Sequence, residues 1–413
     1  MSYLFKNLGD NLSPDAFNRL RVSEPFTLGD YKHLYGLDPN FIDYLVNGAT
    51  ITFQANKACA RLQTSSNVTS RAVHQTKFYH HYMPGKSQLI LSSFNFYNAV
   101  ANVTKRTGYY DDSNGIFFEQ SGDGTLNIVL RSYTTGAPAE TRIPQSAWSV
   151  DKCNGTGASG FNIQIDKTQL LFIDFQWLGV GKIRIGFAHN GQYITAHEFN
   201  GTNNLSNVYM SNPNLPVRCE ILNTGATAGG FYDQICSTVI SEGGYVEAGQ
   251  DWSISNPTLV SVAANATVPV LAIRLKNSFN TYLNRMIVRA GNLSLISTDT
   301  NIKYRLIKLP AVANLTGGSW SSADADSGIE CNFTATAFSG GDEIDNGWVA
   351  ASNQGNNRAG GAPNSNPPST AKKNYIVQNF DSTDSEIFVV VVTNLSDSTP
   401  TTVGVGLQWR EIY

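Results

Sequence analysis

Two glycine-containing segments carry residue types that bind phosphates in other proteins. Gly85-Lys86-Ser87 matches the end of a P-loop, and residues 155–160 have the GxGxxG spacing of a dinucleotide-binding loop. A P-loop also requires a glycine five positions before Gly85, where this chain has His80. Both loops must open a helix, whereas residues 86–91 and 161–166 have strand-like patterns. We therefore predict that neither segment binds a nucleotide and that the protein uses no cofactor.

Oxygen-rich turns and histidines are the candidates for a metal site. Residues 111–115 (Asp-Asp-Ser-Asn-Gly) and 324–328 (Asp-Ala-Asp-Ser-Gly) lack the spacing and the terminal Glu of a twelve-residue calcium loop, so polar turns are favoured. His80 and His81 are adjacent and would point to opposite faces of a strand. The other histidines show no i, i+4 pairing. The sequence therefore predicts no metal-binding residues and favours exposed or hydrogen-bonded histidines.

Acid/base catalysis by a β-sandwich would need two carboxylates on one face. Sandwich glycosidases use such a pair as acid and nucleophile. Asp174 and Glu119 lie in strand-like segments, but neither has an acidic residue two positions away. No Ser/His/Asp set can be assigned either. The sequence thus predicts no catalytic residues and a protein that is not an enzyme.

Composition excludes several further classes. Of 413 residues, 41% are apolar and only 15% are charged, so Asn, Ser, Thr, Gly and Gln must cover much of the surface. This suits a surface buried against neighbours, or one in a harsh medium, better than a free cytosolic enzyme. The net charge of −3 predicts no nucleic-acid binding. We expect synthesis in a cytoplasm and no membrane span, because the N-terminus lacks a signal-peptide core and no apolar run is long enough.

Five dispersed cysteines complete this picture. They show no CxxC or Cys/His ligand spacing, and buried reduced thiols are favoured over a disulfide framework. They are Cys59, Cys153, Cys219, Cys236 and Cys331.

Period-two alternation is the dominant pattern of the chain. In residues 170–187, apolar and polar side chains alternate on both sides of Gly179-Val180-Gly181, which predicts a β-hairpin with one buried face. We expect Phe175 and Trp177 to be buried, with Asp174 and Gln176 facing outward or into a polar interface. Similar patterns recur, and no segment of comparable length is helical. The sequence therefore predicts an all-β protein.

The segments divide into an arm and two antiparallel β-sandwiches. Residues 1–45 show no strand pattern and are predicted to form an extended N-terminal arm. Short strands separated by turn clusters predict a first sandwich over 46–242 and a second over 245–413. Within the second, residues 387–392 are apolar on both faces, as in a central strand covered on each side.

Two features of the second sandwich favour self-association. Gly404 and Gly406 leave one face of a strand without side chains, so that another group can approach closely. Residues 351–374 form a Gly-, Asn-, Ser- and Pro-rich loop with few apolar side chains. A neighbouring subunit could cover the glycines and hold the loop. The alternative, that a loop of the same chain covers the glycines, stays open.

Several motifs resemble those of structural proteins of tailed bacteriophages. The segment 15–28 (DAFNRLRVSEPFTL) resembles the start of many such proteins, although these often have Gly where this chain has Asn18. Residues 82–88 (YMPGKSQ), 176–184 (QWLGVGKIR) and 214–218 (NLPVR) resemble the same family. The resemblance covers most of residues 13–225 and is looser beyond. It implies a virion component with a lectin-like sandwich followed by a jelly-roll-like one, and it carries over no catalytic residues.

The sequence therefore favours a non-enzymatic virion structural protein, assembled as a homo-oligomer on the particle surface as a head decoration, collar or tail-fibre-like part. We expect the arm to dock on another virion protein or on the far side of its own subunit, and the oligomer to be a trimer by analogy. The alternative is a carbohydrate-binding or carbohydrate-cleaving β-sandwich protein that contacts a glycan of the host envelope. An aromatic-lined groove with paired carboxylates would favour that alternative, and a smooth apolar interface would favour the structural role. The residues expected to serve assembly are Phe17, Arg19, Leu20, Arg21, Phe26, Trp177, Gly404 and Gly406.

Overall fold

The structure is a computed structural model that describes residues 24–351 and 375–413. Apart from three single-turn 3-10 helices (Ala55–Lys57, Gln145–Ala147 and Val312–Asn314), the regular structure of these residues is β-strand. The chain divides into two compact units between Val246 and Glu247. Among the described residues, no helix has the length and apolarity to cross a membrane. The prediction of an all-β protein is confirmed.

The first unit is a sandwich of two antiparallel sheets. Its strands are β1 (Phe26–Lys32), β2 (Phe41–Val46), β3 (Thr50–Gln54), β4 (Cys59–Gln63), β5 (Arg71–Thr76), β6 (Gln88–Asn95), β7 (Val103–Tyr110), β8 (Gly115–Gln120), β9 (Leu126–Ser132), β10 (Ala139–Pro144), β11 (Gln169–Phe175), β12 (Lys182–His189), β13 (Gln192–Asn200), β14 (Val217–Asn223) and β15 (Phe231–Ser241). One sheet has the order β13-β12-β11-β6-β15-β4-β3, with β1 also paired to β15. The other has the order β10-β9-β8-β7-β14-β5-β2. Apolar side chains from both sheets form the core between them.

The hairpin predicted over residues 170–187 is present as β11 and β12. Ile173 lies opposite Ile185 in an antiparallel ladder, which sets the expected register. Phe175 is fully buried, and Trp177 lies beyond the end of β11, partly buried against the core. Asp174 lies on the opposite face and pairs with Arg184. The alternation therefore predicted the core face correctly. The expectation of a single buried face is wrong for β11, because Phe172 and Asp174 on the opposite face are buried as well, and so is Gln176 just after the strand.

The prediction that residues 1–45 form a strand-free arm is wrong for the part that the structure describes. β1 pairs with β15 from Phe26↔Ser241 to Lys32↔Cys236, and β2 pairs with β5. Tyr31 and Phe41 are buried and pack edge to face with ring centroids 5.4 Å apart. Both strands are short and Pro39 lies in the loop between them, so their pattern is weak without the sheets that they complete.

Residues 161–166 do not form the predicted strand. They make one isolated bridge, Asn162 with Asn154, and then a turn. The loop folds around Asp151 instead, because its carboxylate accepts the backbone N–H groups of Cys153 at 2.7 Å and Ser159 at 2.9 Å. These local hydrogen bonds compete with strand pairing.

The five cysteines are free thiols, and four of them are buried. Cys236 is exposed, contrary to the expectation. A β-bulge in β15 lies between Gln234 and Cys236, and it shifts the alternation of that strand.

The second unit is also an antiparallel sandwich. Its strands are β16 (Gln250–Ser255), β17 (Val260–Val262), β18 (Thr267–Leu275), β19 (Ser278–Phe279), β20 (Tyr282–Leu283), β21 (Ile287–Ser297), β22 (Ile302–Leu309), β23 (Leu315–Thr316), β24 (Ser321–Ser322), β25 (Ile329–Asn332), β26 (Ala337–Phe338), β27 (Asp342–Val349), β28 (Tyr375–Ile376), β29 (Ile387–Asn394) and β30 (Thr401–Ile412). One sheet has the order β16-β30-β21-β28 with β17 also on β30, and the other has the order β24-β25-β18-β29-β22-β27. Two further two-stranded sheets, β19-β20 and β23-β26, lie outside these sheets.

The prediction of a central covered strand at residues 387–392 is confirmed by β29. This strand lies between β18 and β22, and its apolar side chains are buried on both faces. Val390 contributes to the core between the sheets, and Val389 contributes to a second cluster on the other side. That second cluster is covered by residues 312–338, including Trp320 and Phe338.

Candidate functional site

Charged side chains form a continuous chain across the outer face of the seven-stranded sheet of the first unit. Cations and anions alternate along it, and we call it the Arg–carboxylate chain. Its order is Arg218, Asp112, Arg71, Glu220, Arg106, Glu119, Arg142, Glu140 and Arg131. Five arginines and four carboxylates give it a net charge of +1.

The pleat of the strands explains why these charges share one face. In β14, Val217, Cys219 and Ile221 point into the core, so Arg218 and Glu220 between them point outward. Glu220 lies opposite Arg106 of β7, and Arg106 lies opposite Glu119 of β8. Positions i±2 along the strand do not reveal the charged partners of Glu119, because these partners come from neighbouring strands.

Buried aromatic rings lie beneath the arginines of the chain. Tyr110, Phe117 and Val129 form a small fully buried cluster on this outer face. The guanidinium carbon of Arg131 lies 5.1 Å from the Phe117 ring centroid, and that of Arg218 lies 5.3 Å from the Tyr110 centroid. Each arginine therefore contacts a carboxylate at its head and a ring at its flank, which holds the side chains in place.

The arginines of the Arg–carboxylate chain favour the ionised form of three of its carboxylates. Burial by itself would raise the pKa of Glu220, but Arg106, Arg71 and Arg218 outweigh it and lower that pKa. Burial would likewise raise the pKa of Asp112, but the guanidinium groups of Arg218 and Arg71 lower it to about 2. The pKa of Glu140 is also lowered, because the effect of Arg131 outweighs that of burial.

Lowered pKa values are the opposite of what a glycosidase acid needs, because such an acid must carry a proton near neutral pH. Within residues 24–351 and 375–413, Asp345 is the one carboxyl group whose pKa is raised on balance, and the cause is burial. It lies in the second unit and is paired with Leu306, whose side chain is in the core. Carboxylates that are bound to guanidinium groups in this way are suited to bracing the sheet more than to donating a proton.

A second cluster of the first unit combines aromatic and charged groups at Phe231. The Arg61 guanidinium carbon lies 4.3 Å from the Phe231 ring centroid, and Tyr97 packs against the same ring at 5.0 Å. Asp233 accepts hydrogen bonds from Arg61 Nε at 2.7 Å and from Tyr97 Oη at 2.6 Å. Phe231 stays 39% exposed, but Arg61 and Tyr97 occupy part of its surroundings and are themselves bound to Asp233.

Trp348 of the second unit is the most exposed tryptophan among the described residues. It retains 70% of its accessible surface, although Trp is usually well buried. Its neighbour Val349 lies opposite Ile302, and both are in the core between the sheets. Trp348 therefore lies on the outer face, opposite Lys303, whose Nζ is 5.9 Å from the indole centroid.

Polar side chains continue this line across the sheet. Thr393 of β29 lies opposite Lys303, and Thr267 of β18 lies opposite Thr393. The two threonine hydroxyls are hydrogen-bonded at 2.8 Å. We call these four residues, Thr267, Thr393, Lys303 and Trp348, the Trp348 row. It crosses four strands and so spans about 14 Å.

The structure describes only part of the residues expected to serve assembly. Phe17, Arg19, Leu20 and Arg21 lie outside the described residues, as does most of the loop 351–374. Phe26 stacks on Tyr245 with centroids 4.9 Å apart. Trp177 donates its indole N–H to the Met210 carbonyl at 3.1 Å. Their predicted role in assembly stays a prediction.

Gly404 and Gly406 lie beside side chains of their own chain. A Cβ atom on Gly404 would come within 2.8 Å of Ile296 and 3.0 Å of Leu259, and one on Gly406 would come within 2.7 Å of Ser294. Ile296 and Leu259 are themselves exposed. The face is thus partly filled from within the chain, and contact with a second copy stays a prediction.

The phosphate-loop motifs lie in loops without a helix. Residues 84–87 form a turn before β6, and residues 155–160 belong to the loop around Asp151. Asp111 accepts the backbone N–H groups of Ser113 and Asn114, as expected of a polar turn. In the two described ranges, no three His, Cys, Asp or Glu side chains are grouped as metal ligands.

No protein-family model matches the chain, and no curated protein matches it. Solved structures similar to it include a Shewanella oneidensis protein of unknown function (10% identity, 60% of this chain and 98% of that chain, TM-score 0.35). Others are a Bacteroides ovatus GH16 protein of a mixed linkage glucan locus (9%, 51% and 99%, 0.36) and a carbohydrate esterase of the Shiga toxin-encoding bacteriophage phi24B (11%, 53% and 99%, 0.33). We draw no functional conclusion from likeness at this level.

Proposed function

We propose that this protein binds carbohydrate and does not cleave it. The observation that carries the proposal is the Trp348 row, an exposed indole beside hydroxyl and ammonium groups on a sheet face. The apolar C–H face of a pyranose ring packs on an indole, while its hydroxyl groups need donors and acceptors at the edge. Thr267, Thr393 and Lys303 supply these groups next to Trp348.

Binding without cleavage is supported by the Arg–carboxylate chain. Arginines lower the pKa values of Asp112, Glu140 and Glu220, and Glu220 and Glu119 are almost fully buried and bound to guanidinium groups. A buried carboxylate that already accepts from a guanidinium has little capacity to donate a proton to a leaving group. The carbohydrate-cleaving form of the alternative is therefore the less favoured one.

A panel of immobilised polysaccharides tests this function on the full chain. We expect binding to at least one of them, and Trp348→Ala should weaken it by about tenfold or more, as truncation of a central aromatic anchor does. Tyr282→Ala is the matched control, because Tyr282 is 74% exposed in the same unit but is not in the row. Equal loss in both variants, or no binding of any polysaccharide, would contradict the proposal.

A second candidate is a structural component of a tailed-phage virion, and the motif resemblance over residues 13–225 favours it. The two functions are compatible, since a virion surface protein can bind a host glycan. The test is a deletion of residues 1–23, which ends before β1 and leaves its pairing with β15 intact. We expect the truncated protein to stay soluble but to be absent from purified particles, and normal incorporation would count against the arm as the anchor.

A further inference from the structure

Two cations beside Trp348 have no acidic partner. Lys303 and Arg305 are two positions apart in β22 and so share its outer face. Neither forms an ion pair within the described ranges. Other arginines of these ranges, such as Arg61, Arg184 and Arg274, bind a carboxylate. Arg305 has only a ring contact, with its guanidinium carbon 5.7 Å from the Phe338 centroid.

The strand register explains why the two charges stay uncompensated. On β27, Trp348 lies opposite Lys303, and the neutral Asn346 lies opposite Arg305. The acidic residues of β27 lie opposite residues that follow Arg305 along β22. Asp345 lies opposite Leu306, Glu343 opposite Ile307 and Asp342 opposite Lys308, and Lys308 already pairs with Glu386 at 2.8 Å.

An unpaired guanidinium on a sheet is notable in a chain with a net charge of −3, where carboxylates are available to pair it. Fixed donors that point at no acceptor are suited to an anion from outside the chain. The indole beside them offers an apolar surface to the ring that carries the anion. Trp348 and Lys303 lie about 5 Å apart across adjacent strands, and Arg305 lies two residues, about 7 Å, further along β22.

We infer that the Trp348 row binds an anionic polysaccharide, with the sugar ring on Trp348 and its carboxylate or sulfate on Lys303 and Arg305. This inference rests on the proposed carbohydrate binding and specifies the ligand class. A protein partner is less well matched, because a stable protein interface needs about 800 Å² per partner with an apolar centre. The row is flat, mostly polar and has one large aromatic side chain.

Pairs of polysaccharides that differ only in charge test the inference with the full chain. Polygalacturonate is compared with its fully methyl-esterified form, and dextran sulfate with dextran, by isothermal titration calorimetry. We expect at least one acidic member to bind about tenfold or more tightly than its neutral partner, and the affinity to fall as salt increases. The two pairs separate carboxylate from sulfate as the source of the charge.

Variants of the row identify the residues responsible. Arg305→Gln should weaken binding of the acidic polymer about fivefold and leave the neutral polymer unchanged, because Arg305 is outside the row. Lys303→Gln should weaken the acidic polymer by more than it weakens the neutral one. Lys303→Arg keeps the charge and should retain binding. Trp348→Ala should weaken both polymers. Thermal unfolding of each variant verifies that the second unit remains folded.

The outcomes separate the two proposals. Equal binding of acidic and neutral polymers that is lost in Trp348→Ala refutes the anionic ligand and leaves carbohydrate binding intact. Failure to bind any of the four polymers refutes both. Single-stranded DNA serves as a competitor, and displacement of the acidic polysaccharide at lower DNA concentration would overturn the assignment to a glycan.

Discussion

Replacing Glu220 by Gln tests whether the Arg–carboxylate chain stabilises the first unit. Glu220 is 1% exposed and contacts Arg71 Nε at 2.6 Å, Arg106 Nη1 at 3.7 Å and Tyr110 Oη at 3.3 Å. Gln keeps the shape of the side chain and its capacity to accept one hydrogen bond, but it removes the charge. The substitution therefore perturbs the electrostatics of the chain with little change in packing.

The expected cost follows from the partners that remain. Breaking a buried ion pair typically costs about 3–5 kcal/mol when the other charge is left alone. Here Arg71 keeps Asp112 at 3.0 Å, and Arg106 keeps Glu119 at 2.8 Å. Because neither guanidinium is left without a carboxylate, we expect about half of that cost, ~2 kcal/mol. For a unit of this size the midpoint should fall by about 4–8 °C.

The pH dependence gives a second, independent readout. The pKa of Glu220 is lower in the folded protein than in the unfolded chain, so its contribution is present above the unfolded pKa of about 4.3. That contribution is lost as the pH falls through the folded pKa, because protonation then favours the unfolded state. Glu220→Gln cannot titrate, so its stability should decline less steeply below that pH.

Differential scanning calorimetry of the full chain measures both effects. Glu198→Gln is the matched control in the same unit, because the Glu198–Lys182 pair at 3.0 Å is much more exposed and should contribute below ~1 kcal/mol. If Glu220→Gln unfolds at the same temperature as Glu198→Gln, or has the acid profile of the wild type, the chain is not a brace.

Three further predictions concern the core, a buried amine and the glycine face. Phe175→Ala should destabilise the first unit by about 3–5 kcal/mol in urea unfolding, whereas the half-exposed Leu170 of the same strand should cost little on replacement by Ala. Burial lowers the pKa of Lys105 to about 8, so the unfolded state binds more protons above that pH; stability should rise from about pH 8 to 9 in the wild type and not in Lys105→Met. Gly404→Leu should displace the exposed Ile296 side chain and leave the strand folded. Light scattering should then show loss of a homo-oligomer. A monomeric wild type, or an unchanged oligomer in the variant, would exclude this contact.

Local alternation in the sequence determined the fold class. In residues 170–187 each side chain's face follows from its position in the strand, and the structure has Ile173 opposite Ile185 as expected. The unbroken apolar run 387–392 likewise identified a strand covered on both sides, because polar residues are absent from both of its faces. These inferences needed only neighbours along the chain.

Alternation was insufficient where pairing depends on distant partners. β1 and β2 form because β15 and β5 offer free edges, and no feature of residues 24–45 reports those edges. Conversely, residues 161–166 alternate well, but the Asp151 carboxylate binds the nearby backbone and the segment forms a loop.

The candidate sites were decided by tertiary structure alone. Glu119 and Glu220 are 101 positions apart in the sequence, yet both bind Arg106 because β8, β7 and β14 are adjacent in one sheet. Trp348 and Lys303 are neighbours through the register of β22 and β27. The sequence specifies which face of a strand each side chain occupies, since that is a property of the backbone pleat. Which strands lie side by side is set by burial of the whole core, and that brought these charges and the indole together.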